Sequence, residues 1–146
     1  MKDKKVETEA ERLARYGKRD VTDKLGLKEH QAVHVAGRGD RALLDKVSVR
    51  VNRRFVGEGQ RADIVLYWPR SPEEITETMR AQKANLQPAG GIWVITAKKG
   101  GEPYVPDRIL IPLGLAAGLV DNKICSISDT QTAMRFVIRR TDREKP

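Results

Sequence analysis

The chain has 146 residues, a formal charge of +8 and one cysteine, which leaves room for a single domain of the commonest size and for no internal disulfide. Its longest apolar stretch, around Ile109 to Val120, is interrupted by Pro112 and falls short of the ~20 residues a membrane span needs. The start, Met1-Lys2-Asp3-Lys4-Lys5, leads into mixed charges rather than an apolar signal segment, so a cytoplasmic protein with no membrane partner is expected.

Residues 1–23 form a charged extension. Val6, Ala10, Leu13, Ala14 and Gly17 fall at helical spacing and Glu11 precedes Arg15 by one turn, so a helix with a thin apolar stripe is predicted. Such a helix orders only against the body or a neighbouring copy of the chain, which leaves a homo-oligomer open. Residues 24–140 read as one α/β domain and 141–146 as a disordered tail. Thr22 to Gly26 is a short turn closed by glycine.

Ala32-Val33-His34-Val35-Ala36 is the first strand, and Gly37-Arg38-Gly39-Asp40 the loop after it. Ala42-Leu43-Leu44 allows a short helix, and Val47-Ser48-Val49-Arg50-Val51 alternates as an edge strand does. Asp63 to Tyr67 and Gly91 to Ile95 are continuous apolar runs separated by a helix over Ser71 to Leu86 and a turn at Pro88 to Gly91. That pattern belongs to parallel strands covered on both faces. A helix from about Asp107 to Gly118, kinked or started by Pro112, precedes two strands, Lys123 to Ile127 and Met134 to Arg140, at the spacing of an antiparallel hairpin. The fold class is therefore a three-layer, Rossmann-like, mostly parallel sheet with a C-terminal antiparallel hairpin.

Open parallel sheets bind ligands at the carboxyl ends of their strands. Gly37 and Gly39 allow close approach of a phosphate or nucleotide, although Asp40 and Arg41 stand where a third glycine is usual. The acid that would hold a ribose at the end of a second strand is absent from Val51-Asn52-Arg53-Arg54. Trp68 and Arg70 end one strand, Lys98 and Lys99 the next, and with Arg38 these predict a cationic mouth for an anionic small molecule. Arg50, Arg53 and Arg54 are the candidate contacts to a nucleic-acid backbone. Aromatics, at 5% of residues, are too few to suggest a base-stacking platform. His30, His34 and the distant Cys125 do not make a metal site, and no grouping of Ser, His and acid identifies a catalytic residue.

Lys24-Leu25-Gly26-Leu27-Lys28, Ala62-Asp63-Ile64-Val65-Leu66, Gly91-Ile92-Trp93-Val94 with Lys98-Lys99, and Gly118 to Cys125 leading to Arg135 to Arg140 together resemble the bacterial domain-of-unknown-function family 3052, over approximately Lys24 to Arg140. The resemblance implies a fold and a bacterial, cytoplasmic origin, with no assigned activity. The family pattern near the end has an Asp before a Trp-Ser-Gly type turn. Here Asp129 is followed by Thr130-Gln131-Thr132, so no role of that tryptophan carries over.

The order of elements also resembles a shortened class I methyltransferase. That resemblance places Val35 where the pattern has an acid and Asn52 where it has the ribose-binding carboxylate. It also implies that one strand is missing between Arg41 and Arg61. The expected function is a non-catalytic binding module for an anionic ligand, a nucleotide or nucleic-acid backbone, with no cofactor. The alternatives are an S-adenosylmethionine-dependent methyltransferase with a degenerate site and a protein-interaction scaffold.

Overall fold

The structure, a computed structural model, describes residues 20–143; the extension expected to be helical lies outside them up to residue 19, as do residues 144–146. The chain runs α1 (Val21–Lys24), β1 (Val33–Gly37), α2 (Arg41–Val51), β2 (Ala62–Trp68), a 3-10 turn (Pro72–Glu74), α3 (Ile75–Lys83), β3 (Leu86–Ala97), α4 (Asp107–Ala116), β4 (Leu119–Ser126), β5 (Gln131–Ile138) and a second 3-10 turn (Arg140–Asp142). That last turn continues the described chain into the segment expected to be a disordered tail, and Arg143 Nε donates to Ile138 O at 3.1 Å.

The strands form one sheet in the order β1-β2-β3-β5-β4. β1, β2 and β3 are parallel; β5 runs antiparallel to both β3 and β4. Residues on a strand alternate between faces, and β2 shows why both of its faces are apolar. Ile64, Leu66 and Trp68 pack with Leu43, Val47 and Val51 of α2 and with Leu25 and Leu27 after α1. Val65 and Tyr67 pack on the other face with Ile75 and Met79 of α3 and Leu110 of α4. The result is three layers.

Several expectations need correction. Val47 to Val51 is the second half of α2 rather than an edge strand. In a strand Val47, Val49 and Val51 would share a face, but Val49 is 81% exposed while Leu43, Val47 and Val51, four residues apart, are buried together. Asp40 caps the start of α2, its Oδ1 accepting from Ala42 N at 3.1 Å. Asn52, in the left-handed conformation, closes its end.

The expected turn at Pro88 to Gly91 is instead the first half of β3, which starts at Leu86 opposite Ala62 of β2. A shift of register between Ala62 and Ile64 accommodates it. The helix before it is correspondingly shorter than Ser71 to Leu86. Pro112 lies inside α4 rather than at its start.

Between α2 and β2, the class I pattern would place a strand, a helix and another strand. The structure has only an extended segment beside β1, where Val56 N donates to Val33 O at 2.8 Å. Both outer strands, not one, are missing from this segment, and among the described residues β1 is left at the edge of the sheet.

Candidate functional site

Gly37 and Trp68 are register partners in the parallel β1–β2 pair, so the loops that follow them leave the same edge of the sheet. Between them opens a crevice of about 800 Å³ on the α3 side. Gly37 and Arg38 line it from the β1 loop, Arg70 and Glu74 from beyond β2, Thr78 and Gln82 from α3. Glu58 closes the outer flank.

The polar groups of the crevice are already organised. Tyr67, buried under its floor, donates from its hydroxyl to Glu74 Oε2 at 2.8 Å. Burial, more than any neighbour, pushes this phenol well above its ordinary value; Thr78 opposes the rise and Glu74 adds to it. Glu74 also faces Arg70 Nε at 3.7 Å. His34, only 8% exposed, uses both ring nitrogens: Nδ1 meets Val56 O and Nε2 meets Glu58 Oε1, each at 3.0 Å. Tyr67 and His34 are thus held by their partners, and the groups turned toward solvent are Arg38, Arg70 and the carboxylate of Glu58.

The glycine loop has a packing explanation. Gly37 has φ +88°, and a Cβ there would fall 2.1 Å from Trp68 O. Gly39 has φ +83°, and a Cβ there would fall 2.9 Å from Leu44 Cδ1. The amino-terminal end of α2, where an anion would otherwise sit, is filled by the side chain of Asp40.

The residues expected at one mouth are divided among three places. Gly37, Arg38 and Arg70 meet in the crevice, and Gly39 stands behind it, against Leu44. Trp68 does not join them, because its neighbour Tyr67 faces the crevice side and alternation turns the indole to the other face. There it is 7% exposed beside a small cavity of about 200 Å³. Its Nε1 is buried with no hydrogen-bond partner among the described residues.

Lys98 and Lys99 line a third cleft with Tyr104, Arg108 and Ile124. The strand they follow is separated from β1 by β2, and the Lys98 backbone N–H is drawn to Thr130 O of the hairpin at 2.8 Å. Lys98 Nζ donates to Ser126 Oγ at 2.8 Å.

Arg50, Arg53 and Arg54 lie at the far end of α2. Arg50 Nη2 pairs with Asp23 Oδ1 at 2.6 Å and its Nη1 donates to Leu27 O at 3.1 Å. Arg53 Nη1 donates to His30 O at 3.0 Å, and Arg54 is exposed. Asn52, which the resemblance put in the position of a ribose-binding carboxylate, caps the same end and does not line the crevice. The acid on the outer flank of β1 is Glu58, which sequence spacing did not single out because no second strand marks its position. Tyr67, Glu74, Thr78 and Gln82 were missed too; the signal available was the alternation that sets Tyr67 against Trp68.

Among the described residues no three His, Cys, Asp or Glu side chains are grouped to hold a metal ion, and no helix is long and apolar enough to cross a membrane.

Comparison with solved structures gives a methyltransferase-like fold. A SAM-dependent methyltransferase from Aquifex aeolicus superposes with a TM-score of 0.64 at 15% identity, covering 92% of this chain and 96% of that one. An O-methyltransferase of neocarzinostatin biosynthesis, in complex with S-adenosyl-L-homocysteine and 1,4-dihydroxy-2-naphthoic acid, gives 0.62 at 14% identity over 88% of this chain and 55% of its own. Magnesium protoporphyrin IX methyltransferase from Synechocystis PCC 6803, with bound SAM, gives 0.58 at 12% identity over 94% and 86%. At these identities the likeness is one of fold. No curated protein matches the sequence. The family model described as "Protein of unknown function (DUF3052)" matches residues 22–140, and the chain belongs to that family.

Proposed function

We propose that the crevice binds a ribonucleotide-type ligand and that the chain is a binding module rather than a methyl-transferring enzyme. One observation carries this: the carboxyl ends of two parallel strands bring Arg38 and Arg70, two exposed cations, to the same crevice as Glu58. Guanidinium forks suit phosphate oxygens, and a carboxylate on the outer flank of β1 suits the two hydroxyls of a ribose. Support for a non-catalytic role comes from Tyr67 and His34, whose polar atoms are engaged by Glu74, Val56 and Glu58. A general base needs reach to its substrate.

The methyltransferase reading is favoured by the fold of the similar structures. Calorimetry separates the two. AMP is expected to bind saturably, and Arg38→Ala and Arg70→Ala are each expected to weaken it by about tenfold. Glu58→Gln is expected to weaken AMP but not 2′-deoxy-AMP. Binding of S-adenosylmethionine tighter than AMP would move the chain to the enzyme reading, and no binding of either would leave the crevice without this role.

A further inference from the structure

At the opposite ends of the strands, a separate cavity of about 330 Å³ opens on the α2 face of the sheet, a volume near the lower end of the range for small-molecule sites. Its central group is Arg135 of β5, which lies directly across from Trp93 of β3 and from Lys123 of β4. The guanidinium rests on the backbone of β3 at Gly91, where a Cβ would fall 2.4 Å from its Nε. Among the described residues it makes no hydrogen bond and no ion pair.

Burial pulls its proton affinity below the ordinary guanidinium value, and the like charge of Arg143 adds to this. A half-buried, unpaired charge destabilises a fold unless something opposes it. A fold that holds such a cation over a cavity has prepared a seat for an anion.

The other lining groups narrow its chemistry. Lys123 and Asp63 line the same cavity, so with Arg135 the ionised lining sums to one net positive charge, which a monoanion neutralises. One oxygen of Asp63, Oδ2, is engaged by Ala32 N at 2.8 Å, and among the described residues Oδ1 makes no hydrogen bond. Leu25, Ile64 and Trp93 give the cavity an apolar wall. We infer that this cavity is a second, separate ligand site, taking a small organic monocarboxylate whose carboxylate pairs with Arg135 and Lys123 and whose body carries a hydrogen-bond donor for Asp63. A planar carboxylate fits the planar guanidinium with two parallel bonds. The inference is independent of the carboxyl-end crevice, which shares no lining residue with this cavity.

The test uses the full chain with 4-hydroxybenzoate as probe, 4-hydroxybenzamide as its neutral counterpart, and the Nε–H signal of Arg135 in an NMR titration. The benzoate is expected to shift that signal saturably, with the benzamide at least about tenfold weaker. Lys123→Gln, on the exposed rim, is expected to weaken the benzoate several-fold, while Arg38→Ala leaves it unchanged. Arg135→Gln is expected to abolish the calorimetric signal and to raise the melting temperature, because it removes an unpaired charge. The inference fails if the benzoate and benzamide shift Arg135 equally, if neither shifts it, or if Lys123→Gln leaves the affinity intact.

Discussion

Gly37 and Trp68 face each other across the β1–β2 pair so closely that a single added carbon on Gly37 would overlap the Trp68 carbonyl oxygen, at 2.1 Å. Gly37 also has φ +88°, where a side chain is strained. Gly37→Ala must therefore push apart a pair of backbones, neither of which has a flexible atom to move. A loss of about 2–4 kcal/mol in urea unfolding is expected. A variant as stable as the parent would mean that the loop can rearrange.

The two tryptophans should respond differently to the same change. Trp93 Nε1 donates to Leu25 O at 3.1 Å in the interior, whereas Trp68 Nε1 is buried without a partner among the described residues. Trp93→Phe strands a carbonyl; Trp68→Phe removes a stranded donor. The first is expected to cost about 2 kcal/mol more than the second in chemical denaturation. Equal costs would show that Trp68 has an acceptor in solution.

Arg50 ties α1 to α2 through Asp23 and Leu27 O. Arg50→Ala is expected to lower stability by about 1 kcal/mol, since one of its bonds is to a partly buried carbonyl. Arg54→Ala, at an exposed position, should stay within ~0.5 kcal/mol of the parent. Equal losses from both would contradict the assignment of Arg50 as a structural tie.

Asp20 caps α1, and the Thr22 N–H, with Arg50 and Lys46 nearby, holds its carboxyl below the ordinary 3.8. A depressed carboxylate contributes stability above its unfolded value and loses it as pH falls through its folded value. Asp20→Asn keeps an oxygen for the cap but not the charge. The gap between parent and variant should be a few tenths of a kcal/mol at neutral pH, given the exposure of the site, and should close as the pH falls below the ordinary carboxylate range. A gap constant from pH 7 to 2 would show that the charge contributes nothing.

The sheet was legible where burial is symmetrical. Ile64 to Tyr67 and Gly91 to Ile95 are apolar on both faces, and only central strands are. α2 was misread because Val47-Ser48-Val49-Arg50-Val51 satisfies a period of two and a period of four at once; solvent on Val49 decides, and a sequence does not display solvent. The glycine loop and Arg70 reached the expected place because register fixes strand ends. Trp68 did not, since one step along a strand reverses the face. The cavity around Arg135 was not legible at all. Leu25, Asp63, Trp93, Lys123 and Arg135 all lie within the segments that carry the family resemblance, yet their meeting depends on strand order, which spacing along the chain does not encode.

Gly37 and Gly39 are committed to packing and Asp40 to capping α2. Under the proposed function, discrimination falls to Arg38, Glu58 and Arg70, exposed side chains on connecting segments outside the strands and helices. Fold and preference can consequently drift apart: these positions can be rewritten while the sheet beneath them stays intact, so two proteins sharing this architecture need not share what they hold.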